Sequence, residues 1–428
     1  MLRLLFALVL ASAPAFAQPA DPAPPGEPTP SDAGPSPEPP QEPPPVSTPP
    51  VEVARPVPMP DPMAVAEPAP APNAEVWRFE VGGFIQPQYR WRQDSDVQYD
   101  QDGFRFARVR PILTAASKIG SLEVSGFLEL ELQPTFEMVD AYMTFSHGLA
   151  NKGGLALDVG QMRVPISRQQ LLSDSRISFV DKAQFAVTHP AGVMVAPKRD
   201  LGARVTLMVP SLPQVVITGG IFNGEGPNQI ENINEDYLYA GRIEVTPFGP
   251  STLAESAFGE DYLSLGASVG HNALTAGLNS EQVTYLGADI AGSWKGLSGS
   301  VEYLRAKHDL TEMQAIDYLA EGWMAQVAYL FPFTLPPGAS SSAGARIELA
   351  ARIEEVDRND AVAIAQPGDP EQSVRGYTGC LSYYLRAHSL KAQLAFTHYE
   401  EIEDLTVQQQ DAVYDNDQLL LQLTYRLE

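Results

Sequence analysis

Between residues 163 and 199 the chain places Arg163, Arg168, Arg176, Lys182, Lys198 and Arg199 against two carboxylates, Asp174 and Asp181. Six basic against two acidic groups give a local balance of +4, in a chain whose formal charge is −25. Such a segment concentrates anions if it lies in a narrow passage, because low-dielectric walls focus its field. A second basic run is Gly103-Phe104-Arg105-Phe106-Ala107-Arg108-Val109-Arg110. Read as a strand with Ala107, Val109, Pro111, Leu113 and Ala115 on one face, it turns Arg108 and Arg110 to the other. The planar guanidinium fork suits oxyanions. The alternative is that these arginines pair with Glu123, Glu129, Glu131 and Asp140, which share their face by the same parity. Pairing would leave a transverse field without net selectivity.

Other chemistry is poorly supplied. The histidines are His147, His189, His271, His308, His388 and His398, and neither G-x-S-x-G nor H-E-x-x-H accompanies them. Four of them, His147, His189, His271 and His308, are expected in turns or loops. Asp94, Asp96, Asp100 and Asp102 crowd one loop, but without the calcium-loop spacing they read as a solvated acidic surface. The single cysteine, Cys380, allows no disulfide and no cysteine-cage metal site. No catalytic residue, metal or cofactor is therefore expected. A uniformly acidic chain is also a poor partner for nucleic acid.

The elements that would carry the arginines alternate with period two. In 76–92 the odd positions run Trp77, Phe79, Val81, Gly83, Ile85, Pro87, Tyr89 and Trp91. The even positions run Arg78, Glu80, Gly82, Phe84, Gln86, Gln88, Arg90 and Arg92. One apolar face with aromatics at both ends spans roughly 28 Å at a 45° tilt, about the apolar band of a transmembrane barrel. The pattern returns in 345–353, 377–385, 390–396 and 419–427. Sixteen strands are predicted, starting near 76, 103, 121, 136, 154, 200, 214, 237, 261, 282, 296, 319, 343, 374, 388 and 418. Long connections sort mostly to one side, including 93–102, 164–199, 224–236, 271–281 and 307–318. Tight ones, including 117–120, 210–213 and 293–295, sort to the other. Two inner connections, 247–260 and 331–342, are longer than that rule expects. The predicted fold is all-β, a transmembrane antiparallel barrel of about sixteen strands, wide enough for an aqueous channel.

The start of the chain differs from this body. Met1-Leu2-Arg3, the apolar run Leu4–Leu10 and Ala15-Phe16-Ala17 read as an export signal ending at Ala17. Of the 39 prolines, 22 fall between Gln18 and Glu75. Residues 18–75 cannot bury apolar area and read as a disordered acidic spacer. The expected organisation is a signal peptide at 1–17, this linker at 18–75 and a barrel at 76–428. The spacer would lie in the periplasm of a bacterium and the barrel in its outer membrane, in contact with lipid.

The body resembles the phosphate-selective porin O and P family. The likeness is carried by Gly103–Arg110, by Asp140-Ala141-Tyr142-Met143-Thr144-Phe145 and by Gly160-Gln161-Met162-Arg163-Val164-Pro165-Ile166-Ser167. Arg199-Asp200-Leu201-Gly202-Ala203-Arg204-Val205 and Gly220-Ile221-Phe222-Asn223-Gly224-Glu225-Gly226 follow in order. The resemblance implies a sixteen-stranded homotrimeric channel that passes small anions such as phosphate by passive diffusion. It maps inward arginines to Arg108 and Arg110 and a pore-folded loop to 164–199. A general-diffusion pore, a plugged structural barrel and an outer-membrane hydrolase are the competing classes.

Overall fold

The computed structural model describes residues 76–93, 102–133, 135–149, 153–186, 195–209, 214–250, 252–259, 261–276, 279–311, 317–332, 345–357, 373–402, 406–407, 410–411 and 417–427. The expected signal at 1–17 and spacer at 18–75 lie outside these residues.

The strands are β1 (Arg78–Arg92), β2 (Gly103–Ile119), β3 (Leu122–Glu131), β4 (Glu137–Gly148), β5 (Gly154–Arg163), β6 (Arg199–Val209), β7 (Gln214–Phe222) and β8 (Leu238–Phe248). They continue as β9 (Tyr262–Ala276), β10 (Asn279–Trp294), β11 (Leu297–Leu310), β12 (Tyr318–Leu330), β13 (Arg346–Asp357), β14 (Ser373–Arg386) and β15 (Leu390–Glu401). A two-residue pair, β16 (Thr406–Val407) and β17 (Gln410–Asp411), precedes β18 (Gln418–Leu427). Strands β1–β15 and β18 form one closed barrel of sixteen strands, with each strand beside its sequence neighbour. Closure comes from β1 against β18, antiparallel from Gly83↔Leu427 to Arg92↔Gln418. Both strands at the seam thus find hydrogen-bond partners, which a sheet edge in hydrocarbon could not.

The alternation read from the sequence appears directly in the burial. On β1, Phe79 and Val81 are exposed outward, while Gln86 and Gln88 are almost completely buried inward. On β18, Leu421, Leu423 and Tyr425 point out, and Gln422 and Thr424 are fully buried. An outside that is apolar on strand after strand, around a polar inside, is the arrangement lipid requires. Among the described residues no helix is long and apolar enough to cross a membrane; the crossing is made by strands.

The tight connections 120–121, 210–213, 295–296 and 387–389 share one end of the barrel with the start of β1 and the end of β18. One expected outer loop, 271–281, is mostly strand. Strands β9 and β10 pair as far as Asn279↔Ala276, so only 277–278 connect them. This also corrects the placement of three histidines. His147 lies on β4 at the tight-turn end, paired with Leu122, while His271 on β9 and His308 on β11 sit in ladders that extend further outward than expected; His189 lies outside the described residues.

The wall is locally pinched where β4, β5 and β6 meet. Gly160 has φ +136°, and an added Cβ would press on the Ala141 carbonyl and on Tyr142 across the ladder. Gly160→Val should destabilise the barrel by about 2–4 kcal/mol, through strain and overpacking together. Urea unfolding in liposomes, followed by tryptophan fluorescence, checks this; an unchanged midpoint refutes it.

Candidate functional site

The described part of loop 164–198, residues 164–186 and 195–198, does not stay outside the barrel. It turns into the lumen, carrying the short helix α1 (Arg168–Leu171), whose first turn is capped by Ser167 Oγ accepting from Gln170 N at 3.2 Å. Val164, Ile166, Leu172, Ile177, Phe179 and Phe185 are each 1% exposed or less. They pack against the inner wall because that wall is small there. Ser264, Ser298, Ser300, Ala320, Ala328 and Ala350 are all buried. Gly322 leaves room for Phe185, since a Cβ at that position would meet its side chain. Wall donors then capture the loop backbone. Lys391 Nζ donates to the Ile177 carbonyl at 2.6 Å, Gln393 Nε2 to Ser178 at 2.9 Å and Arg352 Nη1 to Asp181 at 3.0 Å.

One carboxylate fastens the loop to the opposite strands. Asp174 lies 2.7 Å from Arg110 Nη1, 3.5 Å from Arg108 Nε and 3.6 Å from Lys182 Nζ. Burial alone would raise the Asp174 carboxyl, but Arg108, Lys182 and Arg110 together hold it well below the usual range. Arg110 also reaches Glu131 at 2.5 Å and Glu129 at 3.3 Å. It is therefore a structural hub with three carboxylates around it. Burial pushes the Lys182 ammonium down to about 7, against the attraction of Asp174.

A second insertion meets the first. The 249–261 connection comes from the tight-turn end, and its Glu255 binds loop 164–198 at several points. The Glu255 carboxylate accepts from Ser178 N at 2.9 Å and from Gln169 Nε2 at 2.9 Å, and its backbone N–H donates to Arg176 at 2.9 Å. It also accepts from Gln326 Nε2 of the wall at 2.5 Å. His388 Nε2 donates to the Glu255 carbonyl at 2.9 Å. Burial pushes the His388 imidazole down to about 3, so the ring is neutral when it donates.

The remaining basic residues of the loop divide by task. Arg168 is fully buried, with Nη2 donating to the Thr252 carbonyl at 2.8 Å and Nη1 3.7 Å from Glu244. Arg199 grips Asp140 with two bonds, 2.9 and 3.2 Å. Arg163 Nη1 donates to the Leu171 carbonyl at 2.6 Å. Lys198 is half-buried, and Arg176 stands exposed. Arg163 and Arg176 border a cavity of about 600 Å³ beside the loop, together with Arg204, Arg426, Glu80, Glu129 and Asp140.

Three features escaped the sequence reading. Arg105 faces the lumen, exposed, with Nε donating to Gln88 at 2.7 Å. The register shifts at Gln86/Pro87, so Arg108 and Arg105 both oppose inward residues while Phe104 and Phe106 point out. Pro87 was the signal: it cannot donate to a ladder, and in a strand it belongs at a bulge. Arg204 sits opposite Asp158 and binds it at 2.8 Å, a pairing visible once β5 and β6 are aligned. The inward course of 249–261 had only one sign, its excess length for an inner turn.

A closed sixteen-strand barrel, apolar outside, polar inside and narrowed by an infolded loop after the fifth strand, is a porin. The chain belongs to the phosphate-selective porin O and P family, whose sequence profile matches residues 120–427. Among solved structures it is similar to an anion-selective porin from Comamonas acidovorans, at 12% identity and TM-score 0.51, covering 82% of this chain and 100% of that one. It is similar to OprB of Pseudomonas putida, at 10% identity and TM-score 0.51, with 82% and 94% covered. The outer membrane channel DcaP of Acinetobacter baumannii gives 13% identity and TM-score 0.50, with 82% and 97% covered. A trimer form of OmpT from Vibrio cholerae gives 11% identity and TM-score 0.50, with 82% and 99% covered. These likenesses concern the fold. No curated protein sequence matches the chain.

Two outcomes follow from the loop anchors. Glu255→Ala removes an acceptor shared by three donors, so the two insertions should loosen. Single-channel records should then show higher conductance or frequent sub-states; a trace identical to wild type refutes the clamp. Lys182 is protonated below about 7 and neutral above it. The lumen therefore loses one positive charge as pH rises through that value, and the anion-to-cation permeability ratio should fall. Lys182→Met should abolish the step.

Proposed function

We propose that this porin carries small anions by passive diffusion through the bacterial outer membrane. The observation that carries this reading is an asymmetry of exposure. Glu129, Glu131, Asp140, Asp158, Asp174 and Glu354 are all buried in the lumen, and each is held by an arginine. Arg105 and Arg176 stand exposed instead, and of the carboxylates bordering the cavity Glu80 is the exposed one. A passing ion responds to the charges that face water, because paired and buried charges cancel at short range. Arg105 then lowers the barrier above the loop and Arg176 beside the cavity. Neither is caged by several carboxylates, so an anion can leave as well as enter.

The description of the family and the name of the anion-selective Comamonas porin support anion preference. The trimer form of the Vibrio protein supports a homotrimer for this chain. The leader, the Pro-rich segment as a periplasmic spacer and contact with outer-membrane lipid complete the reading. The family is one of channels, and the lumen serves as a passage without turnover. A weakly selective pore is the second reading, favoured by the three carboxylates around Arg110.

Reversal potentials in planar bilayers under a KCl gradient separate the two readings. Wild type should favour chloride, and Arg105→Gln with Arg176→Gln should bring the ratio several-fold closer to unity. A cation-favouring wild type overturns the proposal, and a ratio near unity selects the weakly selective pore. Light scattering of the detergent-solubilised protein should give three chains per particle.

A further inference from the structure

The cavity beside the loop is not a uniform sleeve of charge. Arg163, Arg176, Arg204 and Arg426 supply its guanidinium groups, while Phe127, Tyr142, Leu171 and Leu253 supply apolar surface. The Phe127 and Tyr142 rings stack, with centroids 5.3 Å apart and planes at 25°, and both border the cavity. Leu253, from the second insertion, is 43% exposed although it is a leucine. Of the bordering carboxylates, Glu129 and Asp140 are buried and held by Arg110 and Arg199, which leaves the exposed Glu80 as one negative charge against the cavity's four guanidinium groups.

Surface of this kind distinguishes between anions. Inorganic phosphate is hydrated on every side, and resting it against aromatic rings and leucines strips water without replacing the hydrogen bonds. A carboxylate on an apolar body uses both halves of the cavity. Its oxygens meet Arg176 and its neighbours, and its hydrocarbon covers the rings and Leu253. About 600 Å³ lies within the range of small-molecule sites and far exceeds the need of a single phosphate.

We propose that this cavity is a binding station for organic monocarboxylates with an apolar, ring-sized body, which it prefers to inorganic phosphate. The proposal rests on the anion preference argued above and narrows the solute class. Leu253 and the Phe127–Tyr142 patch set the preference, and the arginines set the sign of charge.

Full-length protein in planar bilayers, in mildly acidic KCl where both probes are mainly singly charged, tests this. Benzoate and phosphate are added separately as blockers of the chloride current. Benzoate should half-block at a concentration roughly tenfold below that of phosphate, equivalent to about 1.4 kcal/mol. Leu253→Ser should raise the benzoate value several-fold and leave the phosphate value in place, and Arg176→Gln should raise the benzoate value. Phosphate blocking as well as benzoate, or a benzoate value that neither variant moves, overturns the proposal. The reversal potential of the same membranes keeps the two readings apart. Chloride preference without benzoate block removes only the organic-anion station, whereas cation preference removes the parent reading with it.

Discussion

Everything in this molecule follows from the absence of water in hydrocarbon. A backbone that crosses it must satisfy each N–H and C=O within the protein, and a sheet can do so only by closing. The β1–β18 ladder is that closure. Once the cylinder is fixed, side chains have two destinations. Period-two alternation sends Leu421, Leu423 and Tyr425 to lipid and Gln422 and Thr424 to the lumen. The lumen is then free to be polar, and sixteen strands leave more room than side chains can fill. The chain fills part of it with its own loops.

The overall charge of −25 describes the lumen poorly. Acidic residues are abundant inside, but they serve as acceptors. Glu255 receives backbone and side-chain donors from the loop, Asp174 draws together two strand arginines and a lysine, and Asp140 holds Arg199. Buried carboxylates need such partners because desolvation otherwise drives them to the neutral form. The consequence for transport is a division of labour. Carboxylates and their partner arginines hold the aperture in shape, and a smaller set of guanidinium groups is left facing water.

Much of the architecture was legible in the sequence because period-two alternation is a local property, readable within ten residues. Strand starts fall within three residues of expectation, from Arg78 to Gln418. The inward direction of Arg108 and Arg110 was legible for the same reason. Their partners were not, since Asp174 reaches them only after loop 164–198 has folded in. Arg105 was lost to a bulge, which reverses parity with a single extra residue. The 249–261 insertion was lost because its destination depends on Glu255 meeting Ser178 and Gln169, contacts some eighty residues away in the chain. Patterns that repeat along the strand survive in one dimension; contacts across the lumen do not.

The seat of the infolded loop has a consequence for how such pores diversify. Phe179 packs in one cluster with Ala328 and Ala350, and a Cβ at Gly322 would run into Phe185. Enlarging one of those backing residues would push the whole loop away from its seat and tighten the opening ahead of it. Shrinking the rings would do the reverse. The calibre of the passage can thus drift through substitutions hidden behind the loop, while the charged groups that face water stay as they are.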